Sequence, residues 1–232
     1  MAYTLSSGSA RRPRLNRDAV LAAAVGIADR TGIDGLTMRT LADELGVVPM
    51  AIYKHVSGKD ELIDGMVDIV WAEVELPDAT AGWRSAMRAR AVSMRGALSR
   101  HRWAVGLMES RMQPGPANLR QHNAMMGCLR ESGFSFRNTV HVTSVLDAYV
   151  YGFALQEKTL PFDTAEESGQ VAEQKRSTQP ETAAQDYPYL MEVVVELMRS
   201  GYDYTVEFEL GLDLILDGIE RQRPEWADEA GR

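Results

Sequence analysis

The sequence predicts an all-α fold, and three observations carry the expectation. Apolar residues recur at helical spacing in segment after segment, as in Val142, Val145, Leu146, Tyr149, Val150 and Phe153, which puts one stripe of a helix against a core. No stretch alternates apolar and polar residues with the period of two that a half-buried strand requires. The breaks between periodic segments fall at glycine and proline, which end and start helices.

Taken in order, residues 1–15 read as a flexible arm holding Arg11, Arg12 and Arg14, either a solubilising tail or an arm for a DNA minor groove. Asn16 is placed to cap a first helix with Val20, Ala23, Ala24, Ile27 and Ala28 inward, because its side chain can accept a bond from a first-turn N–H. Gly32 and Gly35 end that helix. Thr37 caps a short second helix with Met38, Leu41, Ala42 and Leu45 inward, and Gly46 stops it. Pro49 opens a third helix running to about His55, since proline has no N–H to leave unpaired in a first turn. Ser57 and Gly58 break it. A longer helix starts near Lys59, with Leu62, Ile63, Met66, Val67 and Val70 on one side. Pro77 then separates a head, residues 16–76, from a body, residues 77–232.

Three more stripes follow in the body: Trp83, Met87, Arg90, Met94 and Leu98; Leu119, His122, Met126 and Leu129, closed by Gly133; and Phe208, Gly211, Leu212, Ile215, Leu216 and Ile219. Residues 159–187, rich in Thr, Ser, Gln and Glu, read as a long mobile connection with room for one helical turn.

Composition narrows the function classes. The 232 residues suffice for one large domain or two small ones. No uncharged stretch exceeds ten residues, which excludes a membrane-spanning helix, and the polar first ten residues lack the apolar core of a secretory signal. Cys128 is the one cysteine, so neither an internal disulfide nor a thiolate metal cluster is possible, and a reducing, cytoplasmic setting is expected. The net charge of −8 looks wrong for a nucleic-acid binder until it is split along the chain. Residues 1–60 carry eight Lys or Arg against six Asp or Glu, while the rest carry 17 against 27. A basic head on an acidic body is the asymmetry expected where one end meets phosphate.

Two short helices joined by a glycine-containing turn have the layout of a helix-turn-helix, whose second helix enters the major groove. The segment from Gly35 to Lys59 fits it. With Leu41, Ala42, Leu45 and Ile52 turned inward, Arg39, Pro49, Met50, Ala51, Tyr53, Lys54 and His55 are left to face DNA. Lys59 adds its charge at a helix N-terminus, where exposed N–H groups bind phosphate.

The pattern G-L-T-x-R-x-L-A-x-x-L-G-V followed by Y-x-H-V-x-x-K resembles the tetracycline-repressor (TetR) family of bacterial transcription regulators. Trp83, Arg88, Ala97-Leu98, His101-Arg102, Gly133-Phe134-Ser135, Gly152 and the run from Gly211 to Glu220 extend the resemblance over residues 16–222. It implies a homodimer, each chain a helix-turn-helix DNA-binding head on a helical ligand-binding and dimerisation body. A palindromic double-stranded DNA operator and a small-molecule effector are the implied partners. The family's DNA-facing positions carry over to Met38, Arg39, Pro49, Met50, Ala51, Tyr53, Lys54, His55 and Lys59. In the pocket, an asparagine and a phenylalanine correspond to Arg90 and Met94. Two histidines correspond to Glu75 and to Met108 or Glu109, a glutamine to Met125, and a glutamate to Gln156 beside Glu157. With those imidazoles gone a tetracycline–magnesium chelate has lost its handles, so no metal and no cofactor is expected and the effector stays unassigned.

Plainer readings stand beside these. Met87, Met94, Met108, Met112, Met125 and Met126 either fill a core or line an adaptable ligand pocket, with Trp83 in its wall. Arg90, on an inward stripe, needs a carboxylate partner (Asp147, Glu157 or Glu109) or an acidic or carbonyl-bearing effector. His122 and His141 read as satisfied interior histidines. Val140, Tyr151, Leu210 and Leu214 lie off the main stripes and offer a second apolar side for a four-helix interface between chains. For an enzyme, the chain lacks G-x-G-x-x-G, G-x-x-x-x-G-K-[S/T], H-E-x-x-H and G-x-S-x-G, and its four histidines show no metal-ligand spacing. No catalytic residue is expected.

Overall fold

Asn16 opens the first helix by accepting the Ala19 N–H at 2.8 Å. Helix α1 (Arg17–Thr31) buries Val20, Leu21, Ala24, Val25, Ile27 and Ala28. The computed structural model describes residues 15–160, 165–178, 183–200 and 203–229. Arg11, Arg12 and Arg14, and with them the arm expected over residues 1–15 apart from Leu15, lie outside the described residues.

Thr37 starts α2 (Met38–Leu45) with a reciprocal cap. Its Oγ1 accepts the Thr40 N–H at 3.0 Å, and its own N–H donates to Thr40 Oγ1 at 2.9 Å. Such caps stabilise a helix by about 1 kcal/mol. Gly46 has φ 65°, a left-handed conformation that glycine adopts at no steric cost, and the turn lets the Val47 N–H reach the Ala42 carbonyl at 3.0 Å. Helix α3 (Pro49–Ile52) is shorter than its apolar spacing suggests. The N–H groups of His55 and Val56 both donate to the Ile52 carbonyl, at 2.8 and 3.2 Å, so residues 53–55 leave the helix as a turn. Helix α4 (Lys59–Glu73) follows.

The chain divides into two compact units, Met1–Met66 and Val67–Arg232, the second beginning within α4. In the first unit, Leu36, Leu41, Ala42, Ile52, Val56, Leu62 and Met66 are buried with the inner face of α1.

In the second unit α7 (Phe136–Lys158) lies against α5 (Trp83–Arg100), α6 (Pro116–Glu131) and α11 (Tyr204–Glu229). Trp83, Met87, Arg90, Met94 and Leu98 are all buried on α5, as their spacing predicts. On α6 the stripe is out of phase with its reading. Ala117, Gln121, Met125, Cys128 and Leu129 are buried, while Leu119 and Met126 are exposed. A polar residue takes an inward position there, because Gln121 donates its amide to the Val74 carbonyl. On α7, Val145 is exposed, and so is His141, which is no interior histidine.

Residues 159–187 are not mainly a connection. They hold α8 (Ala165–Thr178) and α9 (Ala183–Asp186), and α10 (Pro188–Ser200) begins directly after them. Glu, Gln, Ala and Lys are strong helix formers whose polarity mimics a loop. Charged pairs tie α5 to its neighbours: Arg88 to Asp213 at 3.1 Å and Glu209 at 3.0 Å, Arg84 to Asp217 at 2.7 Å, and Arg95 to Glu157 at 2.6 Å. The Tyr149 hydroxyl donates to the Phe208 carbonyl at 2.9 Å, and a Cβ on Gly211 would overlap that hydroxyl, so α7 and α11 meet where no side chain fits. Among the described residues no strand forms, and no helix is long and apolar enough to cross a membrane.

Candidate DNA-reading face and effector cavity

The head presents a face that its own core leaves uncovered. Ile52 is fully buried, which fixes the roll of α3 and turns its neighbours outward. Val48 is 68% exposed, Met50 71% and Tyr53 45%, an unusual density of large side chains in water for so short a stretch. Pro49 and Lys54 are exposed beside them, and Ala51 and His55 are half-buried. Arg39 on α2 and Lys59 at the start of α4 are exposed too. Among the described residues no hydrogen bond or ion pair engages the side chain of Arg39, Lys54 or Lys59. The start of α4 is held in place independently of its lysine. Glu61 accepts the Ser57 N–H at 2.7 Å, and that bond holds the Glu61 carboxyl below the usual glutamate range.

The body contains a cavity of about 460 Å³ lined by Glu109, His122, Met126, Val140, Thr143, Ser144, Asp147, Ala148 and Tyr151, a volume in the range of small-molecule sites. Six of these come from α7 at positions 140, 143, 144, 147, 148 and 151, one helical stripe in itself. Tyr151 donates its hydroxyl to Glu109 at 2.6 Å, and burial together with that carboxylate pushes the phenol well above its ordinary range, so it stays a donor. The His122 Nδ1 lies 3.0 Å from the Asn118 carbonyl. A carbonyl only accepts, so Nδ1 carries the hydrogen and Nε2 of the neutral ring is left as an acceptor.

Arg90 stands behind this wall. It is 1% exposed, and its guanidinium donates through one nitrogen to Asp147 at 2.9 Å. Of the three carboxylates open to it from the sequence, Asp147 is therefore its partner; Glu157 belongs to Arg95 and Glu109 to Tyr151. The remaining guanidinium nitrogens, Nε and the second terminal one, are buried without a hydrogen-bond partner among the described residues. Of the residues offered from sequence for the ligand, Met126 and Glu109 line this cavity, and the others do not. Trp83, Met87, Met94, Met108 and Met125 are buried in packing, whereas Met112 is 96% exposed and Gln156 is also exposed. This lining had a signal of its own. Thr143, Ser144, Asp147 and Tyr151 are polar residues at helical spacing, beside the more conspicuous apolar stripe.

Residues 20–66 match the family described as "Bacterial regulatory proteins, tetR family", and residues 76–223 match "Tetracyclin repressor-like, C-terminal domain". The chain belongs to the TetR family. The HTH-type transcriptional repressor DrrR1 of Streptomyces coeruleorubidus is 32% identical over 216 residues, spanning 90% of this chain and 78% of that protein. The class A tetracycline repressor protein from transposon 1721 of Escherichia coli is 30% identical over 90% of this chain and 93% of its own length. The TetR family protein ActR of Streptomyces coelicolor, solved with actinorhodin, superposes with a TM-score of 0.70 at 29% identity, covering 89% of this chain and 96% of that one. This TetR-family chain is thus a DNA-binding transcriptional regulator, its helix-turn-helix inside the first matched segment and its cavity inside the second.

Proposed function

We propose that this TetR-family regulator is a homodimeric repressor that holds a palindromic operator and releases it when a small-molecule effector fills the body's cavity. The uncovered face of the head carries this reading: a stretch with Met50 and Tyr53 in water and cations without partners among the described residues has the composition of a surface awaiting polyanionic DNA. In it, Pro49, Met50, Ala51, Tyr53, Lys54 and His55 meet the groove, and Arg39 and Lys59 meet phosphate. The relative named a repressor supports the direction of control, and the ActR complex with actinorhodin supports an effector.

Val206, Leu210 and Leu214 are exposed at intervals of one helical turn along α11, and Val145 and Leu155 are exposed on α7. These form the four-helix interface between two chains, which sets the two heads about 34–36 Å apart on successive major grooves. The effector favours a dimer geometry that no longer matches that spacing, which requires that it bind the two states unequally. Within the body, the cavity lining takes the effector, Trp83, Met87, Met94, Met108 and Met125 serve the core, and Met112 and Gln156 belong to the surface. The protein acts by binding alone, in the cytoplasm, with no metal, cofactor or catalytic residue assigned.

Leu214→Asp tests the assembly. Light scattering should show a dimer for the wild-type chain and a monomer for the variant, and the variant should lose operator affinity while keeping its helical circular dichroism. A wild-type monomer at micromolar concentration would overturn the dimer.

A further inference from the structure

Granted that the cavity is the effector site, its wall restricts what the effector can be. The polar groups around it are mostly acceptors. Asp147 receives one bond from Arg90, Glu109 receives the Tyr151 hydroxyl, and His122 Nε2 has a lone pair to offer. Thr143 spends its hydroxyl hydrogen on the Val140 carbonyl at 2.9 Å, which leaves that oxygen as another acceptor. Ser144 alone among the lining residues keeps a hydroxyl donor uncommitted. The charges point the same way. The Asp147 carboxylate is matched by the guanidinium behind it, whereas Glu109 has no cation partner among the described residues. The wall therefore carries one unmatched negative charge, and Met126, Val140 and Ala148 supply apolar surface beside it.

We infer that the effector is an amphipathic cation, an apolar body bearing a protonated amine that donates to Glu109, Asp147 and His122 Nε2. An anion would meet two carboxylates in the lining with a single uncommitted hydroxyl to receive it, since Arg90 is buried and outside the lining. A protonated amine finds acceptors in the lining and balances the charge of Glu109. Hydrogen bonds to charged groups are the strong ones, and losing one costs about tenfold or more in affinity.

The test uses the full-length chain and three fluorescent probes built on one ring: aminomethylanthracene, anthracenecarboxylate and anthracenemethanol. Fluorescence titration should rank the ammonium at least about tenfold tighter than the carboxylate, with the neutral alcohol between, and the gap should narrow as salt is raised. Glu109→Gln, at an exposed position, should reduce the ammonium to within about twofold of the alcohol. Ala148→Trp, also exposed and on the lining, should block all three probes. A carboxylate that binds as tightly as the ammonium, and that Ala148→Trp blocks, would leave the cavity as effector site and overturn the cation. Probes that do not bind, or whose binding neither variant changes, would overturn the cation and the cavity together.

Discussion

In the head, the residues proposed to work stand clear of the core; in the body, one of them, Asp147, is tied to a buried side chain. Met50, Tyr53, Lys54 and Lys59 contribute little to holding the first unit together, whose stability rests on buried Leu36, Leu41, Ile52 and Leu62 and on the Thr37–Thr40 cap. Asp147 faces the cavity and is also the hydrogen-bond partner of a guanidinium that is 1% exposed. The difference teaches where function and stability separate. A DNA-reading face can change its residues, and hence its operator, without touching a core. A cavity wall built from a buried ion pair cannot change on one side alone.

The largest effect expected of this contrast lies at Asp147. Asp147→Ala strands the Arg90 guanidinium in the interior, which costs about 3–5 kcal/mol, whereas Arg90→Met removes the buried charge itself and should cost less than half of that. Urea unfolding of the two variants measures the asymmetry, and equal losses would mean that the pair is not buried as a unit. A smaller effect is expected at Glu73. Burial raises the pKa of its carboxyl, but hydrogen bonds from Arg100 at 2.7 Å and from His101 at 3.0 Å outweigh that and hold it below the ordinary value of 4.5. A group whose folded pKa is depressed adds stability above its unfolded pKa and loses it as pH falls through the folded one. Between pH 5 and 3, about this window, the thermal midpoint of Glu73→Gln should therefore fall less steeply than that of the wild type. The smallest effect on stability, within about 0.5 kcal/mol, is expected at exposed Lys59. Lys59→Ala should nevertheless weaken DNA binding and lower the slope of log affinity against log salt by about 0.9 for each phosphate left without its cation. An unchanged slope would remove Lys59 from the interface.

The same contrast governs what the sequence made legible. Asn16, Thr37, Gly46 and Pro49 act within four residues of where they stand, so the helix starts and the turn of the head could be read from neighbours alone. The end of α3 could not, because Tyr53, Lys54 and His55 suit a helix and a turn equally, and the chain chose the turn by sharing the Ile52 carbonyl. In the body the phase of α6 depended on a bond between residues 47 positions apart, from Gln121 to Val74, which no local pattern announces. The α7 wall was hidden for a similar reason. Its polar stripe looks like a solvated face until Glu109 and His122 arrive from elsewhere in the chain to close the other side. Arg90 was legible as a problem, a cation on a core stripe, and its partner was among the three carboxylates the sequence offered.

The separation between a working surface and a structural core is tested most directly by fluorescence anisotropy on a palindromic duplex selected by the wild-type chain from a random pool. Tyr53→Ala combined with Lys54→Ala should abolish specific binding, leaving only salt-sensitive non-specific affinity, while the urea midpoint of the double variant stays at the wild-type value. A double variant that binds the selected duplex as tightly as the wild type, or that loses binding only because its head unfolds, would contradict the assignment of this face to DNA.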